Sequence, residues 1–206
     1  LMAQQTRASK RRGRPNPRER LLGSATQLFN TEGIRVIGID RILRDADVAK
    51  ASLYSLFGSK DNLVIAYLQA LDEQWRAAFE ARTATMTTPD EKILAFFDMA
   101  IEDEPGKDFR GSHFCNAANE YPRPETDSER GIVEAAQEHR RWCHETIAEL
   151  LRQKNGYPGA TQASQLLIFL DGGLVGARLS RSVDPLHTAK TLAQQLLHAP
   201  PADYSI

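Results

Sequence analysis

The chain has 206 residues, is 41% hydrophobic and 26% charged, and carries a net charge of -1 with only two cysteines. Its longest apolar block, residues 166–170, is far shorter than the ~20 residues a membrane span needs, and no secretory signal is present. The expectation is therefore a soluble cytoplasmic protein whose thiols stay reduced and unpaired.

The near-neutral total hides a split. Residues 1–60 hold 12 Lys and Arg against 5 Asp and Glu, whereas the remainder holds 14 against 22. A basic head on an acidic body suits a polyanion-binding module joined to a part that stays off the polyanion. Charge is densest in the arm TRASKRRGRPNPRER, which is poor in apolar residues and broken by Pro15 and Pro17. Such a segment is expected to be disordered until bound. Its Arg12-Gly13-Arg14-Pro15 core is similar to an AT-hook, in which two arginines lie in a narrow minor groove. Sequence-independent phosphate contact by the arm, or a solubilising role, remains the alternative.

Asn16 before Pro17, with Glu19 at the third helical position, opens the first helix, which ends at Gly33. Residues 33–60 then read as two short helices with a tight connection and a lysine opening a longer one. Ile42 and Ala46 mark the buried stripe of the first short helix; Leu53 and Phe57 mark that of the second, with Val48 stapling its start. This leaves Lys50, Ala51, Ser52 and Ser55 on an outer face, the geometry of a helix-turn-helix recognition helix.

These residues resemble the DNA-binding segment of the TetR (tetracycline-repressor-like) family of bacterial transcription regulators. The matches are Ala25, Leu28, Phe29 and Gly33, then Ile42, Ala46 and Val48, then Leu53, Tyr54 and Phe57, then Ser59, Lys60, Asp61 and Leu63. The chain departs from the family pattern at Gly38, Asp47, Ala49 and Leu56, losing two hydroxyls and an imidazole from the motif. The resemblance implies an all-α fold of about nine helices: a three-helix DNA-binding head and a helical-bundle body that binds an effector and dimerises. The expected organisation is a basic arm at 1–15, the head at 16–62 and the body at 63–206. Lys50 is the expected base-edge contact, with Ser52 and Ser55 as adaptable donors and Ala51 against a thymine methyl. Tyr54 and Lys60 are expected on phosphates, with Arg18 and Arg41 as secondary anchors and Arg12 and Arg14 supplied by the arm.

The body reads as helical throughout. Ser59 caps a helix running to about residue 85, with Leu63, Tyr67, Leu71, Trp75 and Phe79 on one face. Thr88-Pro89-Asp90-Glu91 is a capping box opening a helix with Ile93, Phe96, Phe97 and Ala100 inward. A short helix is expected around 114–120, a long one at about 128–155, and two last ones at about 160–180 and 185–198, the final one capped by Asp184. Because 166–170 is apolar all round and Leu174, Val175 and Leu179 continue it, a second chain is expected to cover one face. Gly172, Gly173 and Gly176 are expected to permit that close approach. The resembling family dimerises through these two helices, which implies a homodimer on a pseudo-palindromic operator of double-stranded DNA.

Phe96, Phe97, Phe114, Asn116, Asn119, His139, Trp142, Cys143, Phe169 and Asp171 lie on the helices that enclose the effector cavity in that family. They suit a mostly apolar small molecule with one or two polar atoms; plain core packing is the competing reading. His113, Cys115, His139 and Cys143 match no metal spacing, so neither metal nor cofactor is expected. Cys115 and Cys143 leave open a redox or electrophile sensor. No phosphate loop, nucleophile elbow or framed carboxylate pair appears, so the protein is not read as an enzyme. The expected function is a ligand-responsive repressor, with ligand-independent or architectural DNA binding as the alternative.

Overall fold

Asn16 opens the first helix through a reciprocal capping box: its side chain accepts the Glu19 amide at 2.9 Å, and Glu19 accepts the Asn16 amide at 3.0 Å. The result is α1 (Pro17–Glu32), in a computed structural model that describes residues 13–199. Then come α2 (Ile39–Ala46), α3 (Lys50–Phe57), α4 (Lys60–Thr83), α5 (Pro89–Asp103), α6 (His113–Glu120), α7 (Asp127–Asn155), α8 (Ala160–Ser180) and α9 (Asp184–His198). Among the described residues these nine helices and one 3-10 turn at Pro105–Lys107 are the regular structure, with no strand. The fold is all-α, as the sequence implies.

The two short helices of the head are held by packing rather than by their ends. Neither Gly38 before α2 nor Ala49 before α3 supplies a side-chain cap, a shortfall of about 1 kcal/mol at Ala49 and of a few tenths at Gly38. Leu53 is fully buried and Phe57 nearly so, and burying two such side chains contributes about 1.5–3 kcal/mol apiece. Burial wins. Between them Asp47 takes the left-handed conformation at φ 52°, a position where short polar side chains are tolerated. Arg20, which the sequence reading passed over, donates to the Ala46 and Asp47 carbonyls at 3.2 and 2.8 Å and so ties α1 to that turn.

Two hydrophobic cores share α4. The upper one contains Leu21, Phe29, Ile42 and Leu53 of the head, but it runs on through Leu63, Tyr67, Phe114, Ala117 and Ile132. The lower one gathers Phe79, Phe96, Phe97, Ile147, Leu166 and Leu186. The packing of the head therefore continues past residue 62 into α6 and the first half of α7.

The last two helices correct three expectations. Asp184 does not cap α9; it lies in the first turn, after Val183, and its amide donates to Ser182 Oγ at 3.1 Å. Gly173 and Gly176 serve the contact of α8 with α9 inside one chain. A Cβ on Gly173 would lie 2.9 Å from both Ala189 and Leu186, and one on Gly176 would lie 2.6 Å from Pro185. Gly172 alone faces open space. Asp171, expected on the effector cavity, is half-exposed and paired with Arg140 at 2.7 Å, because its place on α8 looks toward α7. The apolar excess itself is real: Ile168 is 62% exposed, Val175 57%, Leu179 82% and, on α9, Leu192 42%. Among the described residues no helix is long and apolar enough to cross a membrane.

Candidate nucleic-acid interface and its link to the body

The free edge of α3 presents Lys50, Ala51, Tyr54, Ser55 and Leu56 as exposed side chains, with Ser52 half-buried among them. Beside it runs a groove of about 640 Å³ lined by Asn16, Pro17, Arg18, Ala51, Ser52, Ser55 and Leu56. Arg18 is positioned there by its guanidinium lying 5.2 Å from the centre of the Phe57 ring. Lys50 has only a loose neighbour, Asp40 at 4.0 Å, so its ammonium is free to reach outward. These are the expected base-reading residues, and the fold gathers them on one surface.

The expected phosphate anchors are placed less uniformly. Lys60 turns inward: its Nζ donates to the Ile34 carbonyl at 2.8 Å, and burial lowers its pKa. That is a correction, because a lysine opening a helix reads as solvent-facing until an acceptor 26 positions earlier in the chain is brought over it. Arg41 is held by Glu32 through two bonds of 2.7 and 2.6 Å, which compete with any phosphate. Arg14 pairs with Asp47, putting the root of the arm at the turn between α2 and α3. Arg12 lies outside the described residues.

The most concentrated polar contact between head and body is at Glu120. The Glu120 carboxylate, at the end of α6, accepts the Ile34 amide at 2.8 and 3.1 Å and the Arg35 amide at 2.7 Å. Arg35 returns the contact, donating Nε to the Glu120 carbonyl at 2.7 Å while its guanidinium sits 4.3 Å from the centre of the Tyr121 ring. Gly33 is required here twice over. Its φ is 105°, and a Cβ would come 3.1 Å from Glu120 Oε1. On the other side of α4, Ser128 donates to Asp61 at 2.6 Å.

Of the ten residues assigned to an effector cavity, five meet at the seam between the two cores. Phe114 stacks on His139 with centroids 3.9 Å apart, and Trp142 and Phe96 gather with Trp75 and Phe79 around it. His139 Nδ1 bonds to Asp72 at 2.8 Å, a partner absent from the sequence reading, and its Nε2 lies 3.5 Å from Cys143 Sγ. Burial pushes the imidazole of His139 down despite the pull of Asp72. Phe97 and Phe169 belong to the lower core. Asn116 is occupied, accepting from Arg178 and donating to the Arg110 carbonyl, both at 2.9 Å. Asn119 is exposed beside Cys115, and Asp171 lies on the surface, so neither joins the seam. Burial drives the Cys143 thiol up to about 12, which keeps it protonated and weakly nucleophilic at neutral pH. A two-thiol sensor therefore lacks one of its reactive partners. Among the described residues no His, Cys, Asp and Glu group is placed to hold a metal ion.

A short second helix bearing an open polar edge, braced on a three-helix head, defines a helix-turn-helix protein. The family model for bacterial regulatory proteins of the tetR family matches residues 21–67. A TetR-family transcriptional regulator from Streptomyces coelicolor is 34% identical, aligned over 88% of this chain and 94% of that one with a TM-score of 0.76. The reduced form of NemR from Escherichia coli, 21% identical over 88% of this chain and 97% of its own, shares the fold at the same TM-score. The HTH-type transcriptional regulator LmrA of Bacillus subtilis (strain 168) is 34% identical over 80 residues, which span 38% of this chain but only 43% of that protein. The chain belongs to the TetR family of transcriptional regulators. It is a DNA-binding regulator and not an enzyme.

Burial, with Lys107 and Arg110 as neighbouring cations, pushes His113 at the start of α6 down from 6.5 to about 4. The folded protein thus holds a neutral imidazole that the unfolded chain protonates first, so this stability is complete above pH 6.5 and is lost as pH falls toward about 4. Urea unfolding across that window should show a steeper loss for the wild type than for His113→Gln; parallel curves would contradict the assignment.

Proposed function

We propose that the protein is a homodimeric, cytoplasmic repressor that leaves its operator when a small, mostly apolar effector binds the body. The free polar edge of α3 carries this reading. Lys50 reaches base edges in the major groove, Ser52 and Ser55 adapt to neighbouring pairs, Ala51 packs on a thymine methyl, and Tyr54 holds phosphate. Arg18 flanks the same groove and adds a phosphate anchor. Arg14, and Arg12 ahead of it, bring the basic arm to the duplex, while Lys60 from within and Arg41 from the surface brace the head. Residues 16–62 are the DNA-binding part and 63–206 the regulatory part, although their cores are continuous.

Dimerisation follows from the outward stripe Ile168, Gly172, Val175 and Leu179, spaced four, three and four along α8 on one helical face. A row of three such apolar side chains exposed on one helix, with Leu192 nearby, marks a surface that a second copy covers. Two heads then address half-sites about one DNA turn apart.

Regulation uses the seam. Phe114, at the start of α6, stacks on His139, and α6 ends at Glu120, which holds the head. An effector that parts these rings favours a different tilt of α6 and releases DNA by its differential affinity for the two arrangements. Couplings of about 1–3 kcal/mol correspond to several- to roughly a hundred-fold loss of operator affinity.

Selection of bound fragments from a random DNA pool should yield a palindrome. On that site Lys50→Ala is expected to lose on the order of tenfold more affinity than on random DNA. Equal loss on both would remove Lys50 from the reading role. In sedimentation the wild type should have twice the mass of the chain, and Ile168→Asp with Leu179→Asp should sediment as single chains. A wild-type monomer at micromolar concentration would overturn the dimer.

A further inference from the structure

Arg110, in the loop that leads into α6, has no counterion among the described residues. Its Nε is buried without a hydrogen bond, and among the described residues no carboxylate pairs with its guanidinium. The nearby acids are committed elsewhere. Glu104, fully buried, binds Lys107 Nζ at 2.9 Å and the Gly111 amide at 3.0 Å. Asp108 pairs with Arg181, and Glu120 holds the head. The backbone of Arg110 is fixed by the bond from Asn116 to its carbonyl, so the side chain starts from a set position.

Three residues on, His113 opens α6 half-buried, and among the described residues no hydrogen bond holds its ring. Phe114 follows directly and stacks on His139 at the seam. The start of α6 therefore combines an unneutralised guanidinium, a neutral imidazole with an idle donor, and an aromatic wall. A partly buried cation without a partner is costly, and buried charges ordinarily have one.

We propose that Arg110 and His113 receive the carboxylate of the effector, whose apolar part lies against Phe114 and the neighbouring rings. This rests on the reading of the body as an effector-binding part and specifies its ligand as an organic anion. Guanidinium and carboxylate match as a two-bond fork, and the neutral imidazole donates a third bond. The site stands at one end of an eight-residue helix whose other end holds the Ile34 and Arg35 amides. An anion drawing on Arg110 thus acts on the element that fixes the head.

The test uses three compounds of one shape, 4-phenylbutyrate, 4-phenylbutyramide and 4-phenylbutylamine, titrated calorimetrically into the full-length protein. The carboxylate is expected to bind about tenfold or more tightly than the amide, with the amine weakest. Arg110→Gln should abolish the preference for carboxylate over amide, Arg110→Lys should retain part of it, and His113→Gln should weaken the carboxylate several-fold. Far-UV circular dichroism checks that each variant is folded. Equal binding of all three compounds, or a preference that survives Arg110→Gln, overturns the anion assignment while leaving an effector site standing. Binding by none of them overturns the assignment, and continued failure of neutral apolar compounds to stabilise the protein overturns the effector reading itself.

Discussion

Both backbone polar groups of one residue, Ile34, are held by side chains from outside the loop that carries them. Its amide is accepted by Glu120 of α6, and its carbonyl receives Lys60 of α4. The first helix has just ended at Gly33, so the amides of the next residues lack a helical acceptor and must find one. A carboxylate taking two consecutive amides satisfies both donors. Losing it leaves the buried Ile34 amide orphaned, and an unpaired buried group costs about 1–3 kcal/mol, while water can reach the exposed Arg35. This contact fixes one edge of the DNA-binding head against the bundle.

Continuity of the upper core gives the clamp its leverage. Phe114, Ala117 and Tyr121 on α6 are buried in the same cluster as Phe29 and Ile42 of the head. A close-packed cluster transmits displacement instead of absorbing it. Below it, the seam of Trp75, Phe96, Phe114, His139 and Trp142 separates the upper from the lower core, with the Asp72–His139 bond as its polar element. The proposed effector acts at this boundary, where rings of the two cores meet.

Local signals in the chain carried the helix boundaries well. The boxes at Asn16–Glu19 and Thr88–Glu91, the glycines at 33 and 156, and the stripes of α2, α3 and α7 all depend on residues within a few positions of one another. What escaped were pairings between distant positions. Glu120 meets Ile34 across 86 residues, His139 meets Asp72 across 67, and Lys60 reaches back 26. A single sequence gives no register between helices, so Lys60 looked like a phosphate anchor and Asp171 like part of the effector cavity. The glycines of α8 failed for a related reason. Periodicity marks a close approach but not which neighbour makes it, and for Gly173 and Gly176 the neighbour is α9 of the same chain. The recognition face was legible because α3 has few residues and Leu53 and Phe57 leave only one side free.

Native-state hydrogen exchange at individual amides tests the clamp most directly. In Glu120→Ala the amides of Ile34 and Arg35 should lose protection while those in the middle of α8, remote from the joint, keep theirs, and operator affinity should fall with α3 still helical. Unchanged protection at Ile34 and Arg35, or uniform loss throughout the chain, would contradict the claim that this one carboxylate couples head to body.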